Sequence, residues 1–237
     1  YRAQLKNWTF KYLEEVETLA ELPVEISAAR SQQFRWNKGG AENFQKMLKR
    51  ILTSKTVPLK TKMHGVLHLL NSTMFLNVLI VAVLSVPVLF IKNEYEHLRG
   101  YFLVMAFFLV STMLYFFCYW VVYKKQNGGG IQRFFEYILS FITFFSVAMG
   151  FSLNNSIAVL EGHFGKRSEF VRTPKFNIEG NTNPSSANKY IKNKISYKVI
   201  LEGLLTVYFL FALVSAFFVG ENGGDFGLFL FHLMLFL

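Results

Sequence analysis

The sequence contains a single cysteine, Cys118, so no disulfide can form within the chain. It lies inside an apolar block, where a lone thiol is ordinarily a packing residue. His, Cys, Asp and Glu do not gather at metal-ligand spacing anywhere, so no metal site is expected in this chain. Acidic charge is scarce: 15 Asp and Glu stand against 25 Lys and Arg, a formal net charge of +10. In a soluble chain that balance would suggest nucleic acid. Here the cations cluster beside apolar blocks, so they mark the cytoplasmic face of a membrane, and no nucleic-acid partner is expected. The chain begins at Tyr1 without a signal-peptide pattern and stops inside FGLFLFHLMLFL, a 12-residue run too short to span a bilayer. Both ends read as cut, as in a fragment. No internal repeat is visible. The two longest apolar blocks carry no charged residue, which argues against an ion-coupled pump.

What is abundant is apolar. The 237 residues are 52% hydrophobic and 17% aromatic, with 27 Phe, and the apolar residues come in blocks rather than alternating with charge. A bilayer core needs about 20 apolar residues per helix. Asn71 to Ile91 and Tyr101 to Tyr123 meet that length. Spans are expected at about 72–91, 101–123 and 199–219, with the run from Phe226 starting a further one. The fold class expected is mainly α: a polytopic helical membrane protein with amphipathic helices in the interface.

The first 40 residues are soluble in character. YRAQLKNW suits a short helix, and WTFKYLEE has the aromatic alternation of a strand. ELPVEISAARSQQFRWNKGG reads as a helix with Pro23 in its first turn and Gly39-Gly40 at its end. On that helix Gln32, Arg35 and Trp36 stand at i, i+3 and i+4 and share a face. AENFQKMLKRILTSK is then a second helix, over residues 41–62 with its basic continuation. Its stripe is Phe44, Met47, Leu48, Ile51 and Leu52, while Lys46, Lys49 and Arg50 lie off it. A basic amphipathic helix directly before a span is expected to lie in the membrane surface; an ordinary helix packed on a core is the alternative. Lys55, Lys60 and Lys62 lead to the two spans of residues 63–130, and Lys124, Lys125 and Arg133 mark the inside again.

Residues 131–160 are apolar, but Gln132, Glu136, Ser140 and Thr143 fall on one side at helical spacing. An interfacial or re-entrant helix is expected there, because a crossing would put the basic stretch GHFGKRSEFVRTPK outside. Residues 161–198 form a polar, basic loop with the linker composition NTNPSSANK. Residues 199–219 and the truncated helix after them complete the chain.

The Gln32, Arg35 and Trp36 face has a chemistry. The guanidinium fork suits phosphate oxygens, a Trp face can stack on the C–H side of a sugar ring, and Gln bonds hydroxyls in either sense. The same residues are also what an interfacial Trp anchor with an Arg neighbour would look like. Two motifs bear on that choice. QQFRW resembles the Q-x-x-R-W motif of processive membrane glycosyltransferases of family 2, the group of cellulose, mannan and hyaluronan synthases. FVRTPK, residues 170 to 175, resembles the F-x-V-T-x-K gating loop of those synthases in Phe170, Thr173 and Lys175, with Arg172 where cellulose synthases usually carry Val. The two stand in the family's order with two spans between them, and the resemblance covers nearly the whole chain as the C-terminal half of such an enzyme.

The resemblance implies several things. Residues 1–40 would be the end of a GT-A type α/β catalytic domain. The catalytic carboxylates, including a Thr-Glu-Asp motif that supplies the general base, and the divalent Mg or Mn they bind would lie upstream of Tyr1, so the fragment alone is expected to be inactive. Trp36 would stack on the terminal acceptor sugar, Arg35 would meet the diphosphate, and Gln32 would position acceptor or donor. Phe170, Arg172, Thr173 and Lys175 would close over the nucleotide and exclude water. The partners implied are a nucleotide sugar (UDP-glucose or GDP-mannose), the growing polysaccharide and the lipid bilayer. The location implied is the cytoplasmic membrane, with the motif helix and the loop on its cytoplasmic side. The polymer would leave through a channel between the spans, since lipid cannot satisfy its hydroxyls. A non-processive transferase acting on a lipid-linked acceptor, and a transporter or scaffold without chemistry, are the other readings of the same chain.

Overall fold

Apolar runs of 20 residues have one low-energy solution in lipid: a helix that satisfies its own backbone. The computed structural model of the chain has that character. It describes residues 1–13, 15–18, 23, 25–105, 107, 109–167, 196–220 and 223–237, and of Arg99 and Leu109 the backbone alone. Among these residues every regular element is helical. Four segments are long and apolar enough to cross a membrane: Asn71–Glu94, Glu96–Asn127, Ile131–Gly150 and Tyr197–Ser215.

The contacts divide the chain into two compact units, Tyr1–Val78 with Phe151–Ser196, and Leu79–Gly150 with Tyr197–Leu237. The first unit is built on α1, Ile26–Leu52, and includes α2, Leu59–Leu69, and α7, Ser152–His163. The second contains α4, Arg99–Met105; α5, Leu109–Asn127; α6, Ile131–Gly150; α8, Tyr197–Ser215; and α9, Phe229–Phe236. Helix α3, Met74–Glu94, begins in the first unit and continues into the second.

Two sequence expectations are corrected in the first unit. The segment Trp8–Leu13 is not a strand; its Trp8, Phe10 and Tyr12 are exposed. Alternation favours a strand only where another strand offers its ladder, and no described residue does. Before it, the expected short helix is one 3-10 turn, Gln4–Lys6, closed by Asn7 in the left-handed region. The second correction concerns α1, which begins at Ile26, past Pro23, and runs unbroken for 27 residues through Gly39-Gly40. Each glycine costs about 1 kcal/mol in a helix interior relative to Ala. Packing explains Gly40, because a Cβ there would lie 3.0 Å from the Ser72 Cβ and closer still to its hydroxyl.

The stripe of α1 closes a small core, with Met47 and Ile51 buried against Leu69 of α2 and flanked by Phe44, Tyr1 and Leu5. Leu52, from the same expected stripe, is exposed. Helix α7 meets α1 with an unusually polar buried face: Ser152, Asn154, Asn155 and Ser156 are all buried. Buried polar groups need partners. Asn154 Nδ2 donates to the Arg30 carbonyl at 3.1 Å, and Ser156 Oγ to the Phe75 carbonyl at 3.0 Å.

Residues 131–160, expected as one segment, are two helices. Helix α6 ends at Gly150 and α7 starts at Ser152, the point where the chain leaves the second unit for the first. Within the second unit, Ala82 and Val86 of α3 pack on Phe209 and Ala212 of α8, with Phe231 and Leu235 of α9 against them. Phe116 and Trp120 of α5 meet Phe134 and Tyr137 of α6 in edge-on and tilted aromatic pairs. Tyr137 also donates its hydroxyl to the Phe116 carbonyl at 2.5 Å.

Candidate functional site

Gln32, Arg35 and Trp36 lie on the N-terminal half of α1, one helical turn apart and on one side of it. Trp36 is 59% exposed, and Gln32 and Arg35 are half-buried. An exposed indole on a rigid helix has a free face to offer a flat, weakly polar ligand such as a sugar ring.

The rigidity has identifiable sources. Asn37 Nδ2 donates back to the Gln33 carbonyl at 2.9 Å. Lys38, two residues past Trp36, is 6% exposed in its side chain and donates to Glu161 Oε2 of α7 at 3.0 Å. Gln45 reaches His163 Nδ1 at 3.1 Å, and the other ring nitrogen of His163 meets Thr73 Oγ1 at 3.2 Å. The His163 ring also stands edge-on to Phe44. Helix α7 therefore holds α1 at Arg30, Lys38 and Gln45, along the length that carries the three site residues.

Glu161 is the electrostatic centre of this contact. Burial alone would raise its pKa, but hydrogen bonds and positive charge from Lys166 and Lys38 outweigh it and hold the carboxyl below the usual glutamate range. Gly162 allows the approach: a Cβ there would lie 2.6 Å from the Lys38 carbonyl oxygen and 2.7 Å from the Ala41 Cβ.

The other four expected residues, Phe170, Arg172, Thr173 and Lys175, lie outside the described residues. The described chain leads towards them through Lys166 and Arg167. Among the described residues no three His, Cys, Asp or Glu side chains come together where they would hold a metal ion.

Sequence reasoning missed α7. Its signals were a polar run, SLNNS, inside an apolar stretch, and Glu161, the single acid between Glu136 and Glu169. An isolated acid among basic residues suggests a buried partner, but not which of the lysines it meets.

The chain is similar to glucomannan 4-beta-mannosyltransferases. It is 27% identical to glucomannan 4-beta-mannosyltransferase 9 of Arabidopsis thaliana over 236 residues, 93% of this chain and 40% of that protein. It is 46% identical over 63 residues, 27% of this chain and 12% of the relative, to glucomannan 4-beta-mannosyltransferase 1 of Oryza sativa subsp. japonica. It is 43% identical over a stretch of the same length, again 27% of this chain and 12% of the relative, to the enzyme of that name from Cyamopsis tetragonoloba. These relatives are glycosyltransferases by name, and the chain spans two fifths of the Arabidopsis protein at most. No family model matches the chain. No solved structure matches it.

Proposed function

We propose that this chain is the membrane-associated part of a processive glycosyltransferase that extends a mannan- or glucomannan-type polysaccharide from a nucleotide sugar of the GDP-mannose class. The observation that carries this reading is the face of α1 on which Gln32, Arg35 and exposed Trp36 sit together, in a chain similar along 93% of its length to a glucomannan mannosyltransferase.

In the proposed mechanism, Trp36 stacks on the terminal sugar of the growing chain, Arg35 meets the donor's diphosphate with its fork of N–H donors, and Gln32 orients hydroxyls. A carboxylate would take the acceptor proton and a divalent metal would balance the leaving diphosphate; neither role is assigned to a residue of this chain. Phe170, Arg172, Thr173 and Lys175 close over the nucleotide and keep water from the donor. The helices of the second unit contribute to a path for the polymer across the bilayer. The basic residues Lys46, Lys49, Lys55, Lys60, Lys62, Lys124 and Lys125 support a cytoplasmic position for α1.

The test uses protein expressed from its complete reading frame. Membranes are supplied with radiolabelled GDP-mannose or UDP-glucose, and polymer is measured. Trp36→Ala and Arg35→Ala are each expected to abolish polymer while the protein still inserts. Wild-type polymer from either variant would refute the site assignment. A product carrying one added sugar on a lipid would favour single transfer over processive synthesis.

A further inference from the structure

Glu161 pairs with two cations from different parts of the chain. Its Oε2 accepts from Lys38 Nζ at 3.0 Å and its Oε1 from Lys166 Nζ at 2.8 Å. Lys38 comes from α1, two residues after Trp36, and is almost fully buried. Lys166 comes from just beyond α7 and is exposed. A defined turn brings it back. Gly165 adopts φ 68°, the Lys166 N–H donates to the Glu161 carbonyl at 2.9 Å, and the Gly165 N–H to the Gly162 carbonyl at 3.3 Å. That is the hydrogen-bond pattern of a glycine-closed helix end, and it returns the chain over its own last turn. One carboxylate thus joins the helix of the Gln32, Arg35 and Trp36 face to the first residues of the basic segment that follows α7.

A buried ammonium is tolerated only with a counter-charge. Lys38 therefore fixes α1 to α7 at one register, and the Gly162 contact leaves no room for sliding. Trp36 lies just over half a turn away on the same rigid helix. Processive synthesis depends on the balance between adding the next sugar and releasing the chain, and the grip on the acceptor sets that balance.

We infer that Glu161 is a positioning residue of the acceptor site: by clamping Lys38 and Lys166 it holds the Trp36 face in one orientation and thereby sets the length of the polymer. This rests on the glycosyltransferase reading above. Loss of the clamp raises the rate of release relative to addition, so it shortens the product more than it slows sugar transfer. A residue that served only folding would lower the amount of product and leave its length unchanged.

The experiment compares wild type with Glu161→Gln, expressed from the complete reading frame, in membranes given radiolabelled donor. Product length is read by size exclusion and incorporation is normalised to folded, detergent-monodisperse protein. The expected result is a mean length at least threefold shorter with normalised incorporation within about twofold. Wild-type length in Glu161→Gln overturns the inference. If that variant does not accumulate, Lys38→Met/Glu161→Leu, which removes both charges at similar volume, decides by the same readout. If wild-type membranes make no polymer from any nucleotide sugar, the functional reading fails by itself. The clamp is then judged by spin-label distances between Asn43→Cys on α1 and Leu160→Cys on α7 in a background otherwise free of cysteine. A distribution broadened by Glu161→Gln supports it, and an unchanged one overturns it.

Discussion

Replacing Gly162 with alanine would set a methyl group 2.6 Å from the Lys38 carbonyl oxygen, 2.7 Å from the Ala41 Cβ and 3.4 Å from the Glu42 nitrogen. Two of those atoms are backbone, and Ala41 is itself buried, so no flexible side chain can swing aside. Helices α1 and α7 would have to separate. Overpacking of this kind costs about 1–3 kcal/mol. With a backbone oxygen at 2.6 Å the cost falls at the upper end of that range; alanine returns about 1 kcal/mol of helix propensity, leaving a net loss of about 2 kcal/mol. Gly39 is the control, in the interior of α1 with nothing within 4 Å of a Cβ placed on it. There the same substitution is expected to stabilise by about 0.5–1 kcal/mol. The assay is thermal unfolding of the detergent-solubilised protein, where 1 kcal/mol corresponds to roughly 2–4 °C for a domain of 150–250 residues. Gly162→Ala should melt lower than wild type and Gly39→Ala higher. If both move the same way, the α1–α7 contact is not as close as described.

Three further outcomes are expected. Asp225 lies between α8 and α9, and burial alone would raise its pKa; hydrogen bonds from Lys92 (2.5 Å), Asn93 and the Gly227 N–H outweigh that and lower it. A carboxyl lowered in the folded state contributes stability above its unfolded pKa, near 4, that is lost as pH falls through the folded value. Melting temperatures between pH 7 and pH 3 should therefore drop more steeply for wild type than for Asp225→Asn, and parallel curves would contradict the pairing. Ser85→Ala removes the hydroxyl that meets the fully buried His232 Nε2 at 2.9 Å, and stranding that nitrogen costs about 1–3 kcal/mol, measurable in the same melt; no loss would mean the ring has another partner. Glu161→Leu leaves Lys38 buried without this carboxylate and is expected to cost about 3 kcal/mol, most of it recovered in Lys38→Met/Glu161→Leu; an additive double variant would argue against a direct pair.

The long apolar helices were legible because their cause is local. Residues 72–91 and 101–123 carry no charged side chain and 199–219 only Glu202, and the helices α3, α4 with α5, and α8 lie within a few residues of those limits. The spacing of Gln32, Arg35 and Trp36 likewise needed nothing beyond helical geometry. What could not be read depends on contacts distant in sequence. The Gly39-Gly40 pair looks like a helix end by composition, and its continuity makes sense only once Ser72 and α7 are seen against that stretch. The Trp8–Leu13 alternation looks like a strand, yet a strand is a property of two segments. Glu161 and Lys38 stand 123 residues apart, and no pattern in either neighbourhood points to the other.

The unbroken course of α1 has a mechanical consequence. Twenty-seven residues make a rod about 40 Å long, with Trp36 in its N-terminal half and the basic stretch of Lys46, Lys49 and Arg50 in its C-terminal half. Leu52 and Trp36 are separated by about 24 Å along the axis. Pivoted at Leu52, the rod converts a tilt of about 5° into a displacement of about 2 Å at the indole. Misplacement of about 1 Å can slow a reaction about a hundredfold. A hinge at the glycine pair would have absorbed that tilt. Without one, any displacement at the Leu52 end is carried undamped to the indole.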